Sequence, residues 1–409
     1  LRRNPRATGT IIMDGEGIMA FGFVTGLRGL ALMASAALGA VLLTGASAQA
    51  ASCDDIDSGK CTIDLSTGIK MAYVETGPAD GPAVILIHGL TDSLRSWSLA
   101  MRALHKADPA LHILAVDLRG PGATSMPPAD KCAAAPEACF RLADFGADIV
   151  AFMQAKNIAK AALAGHSLGT FVVQEVEFTH PEMVTQAILV ATSTKGVDNV
   201  VLRDYVLKEP VEGSWKAALE AKGKTYPADF YDLTPADADP NVADWTAKNW
   251  VVDPAADPAF LVPYIPETTH VKLGTWIGAT KALLATDNTP RFKDWNVPTL
   301  VIWAIQDNIF LEDPDQKGIR DALAGAAKAH GKVYYWKEYG VVPLPASGMQ
   351  ETDIGHNVQW GAPDAVAADI IAFMKTGAPT PDLPRSDAPP KVSHILTEPG
   401  KAKIIKLGE

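Results

Sequence analysis

The sequence predicts an α/β protein: a doubly wound, mostly parallel sheet with a helical cap inserted partway along the chain. Three observations carry that expectation. The runs at 83–87, 161–164 and 187–191 are continuously apolar rather than alternating, and 111–116 is apolar but for His112, which is the pattern of strands covered on both faces. Segments with helical spacing lie between them, such as Leu142, Phe145, Ile149, Val150 and Phe152. From about Thr194 to Pro290 the strand pattern disappears, and Trp and Tyr residues appear among Asp-Pro and Ala-Asp breaks. At 409 residues the chain exceeds the needs of one core, so one large domain with an insertion is expected. The expected division is 1–50 removed, 51–193 and 291–375 as the two parts of the core, 194–290 as the cap, and 376–409 as a proline-rich tail.

The first fifty residues read as an export signal. Arg28 precedes the apolar stretch 30–44, and Ala46-Ser-Ala-Gln-Ala50 offers a small-residue cleavage site. The stretch is short, and too rich in Gly and Ser for a membrane span, so cleavage after Ala50 and no stable membrane anchor are expected. A chain starting at Leu1 further suggests translation from Met13 or Met19. The net charge of −11 becomes −13 without that segment, which carries four basic and two acidic residues. No basic run occurs in the body, which argues against nucleic acid and anionic membranes as partners and favours neutral or apolar ones. Four cysteines allow three pairings. The closeness of Cys53 to Cys61 and of Cys132 to Cys139, in an exported chain, favours two local disulfides over four free thiols.

Taken in order, 61–65 and 69–75 alternate polar and apolar residues around Thr67-Gly68, an antiparallel hairpin at a sheet edge. The buried strand 83–87 runs into His88-Gly89-Leu90 and then a helix bearing Trp97, Met101 and Leu104. Strand 111–116 ends in Asp117-Leu-Arg-Gly-Pro-Gly122. After the cap, 297–303 resumes the sheet, 332–338 supplies its last strand, and a helix over 358–375 closes the domain. Residues 376–409 lack the apolar content of a core and are read as surface-wrapping or disordered. Among the cap aromatics, Trp215, Trp245, Trp250, Trp276 and Tyr264 form a satellite core or line a pocket.

Gly165-His166-Ser167-Leu168-Gly169 sits between a buried strand and a helix, the context in which G-x-S-x-G makes a sharp elbow. Such a turn lifts Ser167 to the carboxyl end of the sheet and aims the N–H groups of the following helix at any oxyanion formed there. A serine hydroxyl needs a histidine to take its proton and a carboxylate to orient that histidine. His88 and His166 adjoin the turns, His180 precedes Pro181, and His270 is in the cap. His356, in a loop after the last core strand, stands where the base belongs in the order Ser, acid, His. Asp307, just past Trp303, is the expected acid and Asp198 its competitor, while Asp294, Asp313 and Asp315 are assigned to the surface or the cap. No His/Cys cluster has metal spacing, so neither metal nor cofactor is expected.

With Ile87-His-Gly-Leu90, Asp117–Gly122, Gly165–Gly169, Pro298–Asp307 and Gly355-His356 in place, the chain resembles the α/β-hydrolase fold superfamily over roughly 60–375. That resemblance implies a doubly wound sheet of α/β-hydrolase type, a Ser167–Asp307–His356 triad, an oxyanion hole formed by the N–H groups of Leu90 and Leu168, and a structural His88. Ala304 replaces the usual glycine before the acid, and residues 340–353 lengthen the usual spacing between acid and base. A serine nucleophile implies acyl transfer to water from a small-molecule ester, lactone or amide. Carbon–carbon hydrolysis of a diketone, or binding without catalysis, are the alternatives. Haloalkane and epoxide hydrolysis use an elbow aspartate in the families resembled.

Overall fold

The computed structural model describes residues 52–250, 257–340, 354–383 and 404–408. Among them nine strands form one sheet: β1 Cys61–Asp64, β2 Lys70–Thr76, β3 Ala83–Ile87, β4 His112–Val116, β5 Ala161–His166, β6 Val184–Val190, β7 Thr299–Ala304, β8 Tyr334–Tyr339 and β9 Ile404–Leu407. Their spatial order is β1-β2-β4-β3-β5-β6-β7-β8-β9. The pairs from β4 through β8 are parallel, while β1/β2, β2/β4 and β8/β9 are antiparallel. The continuously apolar strands feed two cores at once. Ile85, Ile87, Leu163 and Leu189 pack on one face and Val84, Leu86, Ala162 and Ile188 on the other. Burying each large side chain of this kind contributes about 1.5–3 kcal/mol.

Helix α1 (Ser98–Ala107) and α8 (Pro363–Thr376) cover the second face, and α2 (Leu142–Ala155) and α3 (Leu168–Thr179) the first. The cap supplies α4 (Val201–Ser214, wound as a π-helix), α5 (Pro258–Thr269) and α6 (Leu273–Leu284), and α7 (Lys317–His330) follows β7. Trp215 packs edge-on against Trp245 and Trp276, with ring centroids 5.1 and 5.3 Å apart. These cap aromatics are core.

Two details differ from the sequence reading. The helix over 358–375 is two, Val358–Gly361 and α8, because Pro363 has no N–H to continue the first and takes an opening position in the second. The strand at 332–338 is not the last. Ile404–Leu407, inside the segment read as a surface or disordered tail, pairs antiparallel with β8 and covers an edge that would otherwise expose unpaired N–H and C=O groups. The lengthened region 340–353 falls, apart from Gly340, outside the described residues. Both disulfides are local, Cys53–Cys61 and Cys132–Cys139. The polar residues of β8 have partners: buried Lys337 pairs with buried Asp369 of α8 at 2.8 Å, and burial pulls its ammonium below the ordinary lysine value.

Candidate active site

Between the end of β5 and the start of α3, Ser167 has φ 51° and ψ −121°. A non-glycine residue there is strained and stays only if its surroundings hold it. They do. The Ser167 N–H donates to the Val190 carbonyl of β6 at 3.0 Å, and Thr170 returns its N–H and Oγ1 to the Ser167 carbonyl at 2.9 and 2.7 Å. The flanking glycines are demanded by space: a Cβ at Gly165 would lie 2.3 Å from the Gly169 oxygen, and one at Gly169 would lie 2.4 Å from the Ile87 oxygen. With the Ser167 N–H committed to the sheet, the next is that of Leu168, a first-turn donor with no acceptor within its own helix.

Asp307 is fully buried in the loop after β7. Its Oδ1 accepts from the Ile309 and Phe310 N–H groups at 2.9 and 3.0 Å, and from His356 Nδ1 at 2.9 Å. A proton on Nδ1 leaves Nε2 as the acceptor, the tautomer a general base requires. The loop carrying His356 is fastened twice more: Gly355 forms a parallel bridge with Gln306, and His166 Nε2 donates to the His356 carbonyl at 3.1 Å. Burial, reinforced by the neighbouring His356, holds the His166 pKa well below its ordinary 6.5. The 3.8 Å separation of its Nδ1 from Asp92 is therefore not an ion pair.

The loop after β3 is held by buried polar groups. His88 donates from Nδ1 to the Gly89 carbonyl at 2.8 Å and accepts at Nε2 from the Leu118 N–H at 2.9 Å. That pairing requires a neutral ring, and burial pushes its pKa down to about 4. Asp117 accepts from the N–H groups of Leu94 and Ala123 at 2.7 and 2.9 Å, while Arg119 makes a two-point contact with buried Asp148. These bonds account for Asp117 and Arg119 of the Asp117–Gly122 motif: they join the end of β4 to the neighbouring turns and to α2.

Ser167, His356 and Leu90 line one cavity of about 70 Å³. Its walls are mostly apolar, with Val201, Leu202, Trp250, Tyr264 and Ile309 contributing, so Trp250 and Tyr264 of the cap do face the site. Asp92 and His166 line it too; sequence reading gave Asp92 no role, because a carboxylate five residues past a buried strand carries no signal of its own. A larger cavity of about 740 Å³ lies at the opposite, amino ends of the strands, beside Ala83, His112 and Ala161. The competitor acid Asp198 has a side chain 82% exposed and lies 3.9 Å from Lys195. Asp315 is not a surface residue. It is buried, accepts from Ser193 Oγ and the Leu311 N–H, and burial raises its pKa to about 6.

The alpha/beta hydrolase fold family matches residues 82–317, more than half of the chain. The chain belongs to the alpha/beta hydrolase fold family. Within it, bifunctional epoxide hydrolase 2 of Sus scrofa is 31% identical over 133 residues, which is 32% of this chain and 22% of that protein. The match spans only part of the curated relatives' length: 22% of the Sus scrofa protein, 21% of its Rattus norvegicus counterpart and 34% of epoxide hydrolase A of Mycobacterium tuberculosis. Among solved structures, a hydrolase from Pseudomonas aeruginosa PA01 aligns over 77% of this chain and 98% of its own, with TM-score 0.53 and 20% identity. The enol-lactonase from Burkholderia xenovorans LB400 aligns over 77% and 100%, with TM-score 0.52 and 19% identity. At these identities the two structures share the alpha/beta hydrolase fold with this chain.

Proposed function

We propose that this protein is a serine hydrolase that cleaves a carboxylic ester or lactone of a neutral, apolar or aromatic small molecule through an acyl-enzyme. The observation that carries the reading is that Ser167, on a strained elbow, opens into the same cavity as His356, whose Nδ1 is fixed on Asp307 at 2.9 Å. In this mechanism His356 Nε2 takes the Ser167 proton as Oγ attacks the carbonyl carbon. The oxyanion accepts from the N–H groups of Leu90 and Leu168, the alcohol leaves with the proton from His356, and water repeats the sequence on the acyl-serine.

The nucleophile decides between ester and epoxide. Opening an epoxide with serine would leave an alkyl ether on Oγ, with no carbonyl for water to attack, whereas an acyl-serine is opened by the same oxyanion site that made it. The apolar cavity wall and the net charge of −11 favour a neutral substrate over an anionic one. The signal-like residues 1–50 and the two disulfides support export to a secreted or periplasmic location. The test is labelling with a p-nitrophenyl phosphonate followed by peptide mapping. Stoichiometric modification of Ser167, with loss of turnover on p-nitrophenyl acetate, is expected; an unmodified Ser167 in an active preparation refutes the reading.

A further inference from the structure

The segment 89–95 carries Leu90, and Thr91 within it has φ 56°, so its path is not one the chain would keep unaided. From the core side it is held by His88 and by Asp117, as above. From the other side its polar groups are met by the cap. Ser93 Oγ donates to Glu267 Oε2 at 2.5 Å, Arg95 Nε donates to Glu267 Oε1 at 2.7 Å, and the Tyr264 hydroxyl donates to Asp92 at 2.5 Å. Tyr264 and Glu267 are three residues apart on α5 and so share one face of it. Asp92, Ser93 and Arg95 are all buried, where a polar group without a partner is costly. A third element completes the grip. Lys60 Nζ lies 2.8 Å from Asp117 and 3.9 Å from Glu267, and Arg95 also reaches Asp57 at 3.2 Å. Lys60 and Asp57 belong to the loop closed by the Cys53–Cys61 disulfide.

We infer that Glu267 is a positioning residue: with Lys60, it holds the segment 89–95 so that the Leu90 N–H stays aimed at the elbow. The inference rests on the serine-hydrolase reading and on Leu90 as an oxyanion donor. A docked cap and a formed oxyanion site are then one set of bonds, because the carboxylate that seats α5 also takes up the donors of Ser93 and Arg95. The disulfide-closed loop acts through the same carboxylate, placing a cation between a core aspartate and a cap glutamate.

A brace and a positioning residue differ in what they change. Removing an oxyanion donor costs about 10²–10³-fold in kcat, so a donor displaced rather than removed should cost roughly tenfold. The test compares the full chain with its Glu267→Ala, Glu267→Gln and Lys60→Met variants on p-nitrophenyl acetate, with active sites counted by phosphonate titration. Affinity for a trifluoromethyl ketone, whose hemiketal oxyanion needs the same donor, is measured alongside. For Glu267→Ala, kcat per titrated site should fall about tenfold, the ketone should weaken by a similar factor, and KM should stay within about twofold. Glu267→Gln, which can still accept from Ser93, and Lys60→Met should fall between Glu267→Ala and the unmodified chain. Unchanged kcat with only a lowered melting temperature overturns the inference, as does a rise in KM alone. Should Glu267→Ala fail to fold, Lys60→Met decides on the same readouts. Hydrolysis that persists in Ser167→Ala refutes the serine-hydrolase reading itself, whereas Ser167-dependent hydrolysis indifferent to Glu267 refutes this inference alone.

Discussion

The Nε2 of His166 donates to the backbone carbonyl of His356 at 3.1 Å, so the residue preceding the elbow serine holds the loop that carries the histidine behind it. The two rings lie 4.9 Å apart at their centroids. Because burial keeps His166 neutral, it acts as a hydrogen-bond donor and not as a second base. His166→Ala should therefore lower kcat, by up to about 100-fold if the base loop shifts by an ångström, while phosphonate still reaches Ser167. His166→Gln, which restores a donor, should recover part of the loss. Equal kcat in all three proteins would show that the bond does not position His356.

The acid assignment separates cleanly by mutation. If the three act as one device, Ser167→Ala and His356→Ala should each lose roughly 10⁴-fold or more in kcat, and Asp307→Asn somewhat less, with effects that do not add. Asp198→Asn should stay within about twofold, since its side chain faces solvent. Steady-state kinetics on a short ester measures all four. A crippled Asp198→Asn beside a mild Asp307→Asn would reverse the assignment.

Both disulfides close short loops, so each should contribute at most about 2–3 kcal/mol. Reduction should lower the melting temperature without abolishing the fold. Mass spectrometry after alkylation of the native protein, without reductant, should find no modified cysteine.

Asp315 and His88 give stability opposite pH dependences. Asp315 has its pKa raised from 3.8 to about 6, so the folded protein binds this proton where the unfolded chain does not. Its contribution is complete below about 3.8 and is lost as pH rises through 6, at most about 3 kcal/mol in all. His88 has its pKa lowered from 6.5 to about 4, so its contribution is present above 6.5 and is lost as pH falls through that window. Asp315→Asn removes the first dependence alone. Relative to the unmodified protein, the variant should gain stability between pH 4 and pH 7, read as a shift in urea midpoint. A variant that instead loses stability relative to the unmodified protein over that range would contradict the burial argument.

Much of this protein is legible in its sequence. Continuously apolar runs at 83–87 and 161–164 announced strands buried on both faces, and Gly165-His-Ser-Leu-Gly169 announced a turn that only glycine flanks permit. Those signals are local: they follow from the period of the backbone and from the space around a strained residue. Chain order also pointed to Asp307 and His356, and cysteine spacing to the two pairs the structure forms. The tertiary structure alone decided how each candidate carboxylate is surrounded. Asp198, Asp307 and Asp315 look alike in sequence, yet one faces solvent, one holds His356 and one is buried against Ser193. It alone joined Ile404–Leu407 to β8, and Glu267 to Ser93 and Arg95 across more than 170 positions. Such contacts depend on where crossovers and cap helices place distant side chains, and no local periodicity encodes that placement.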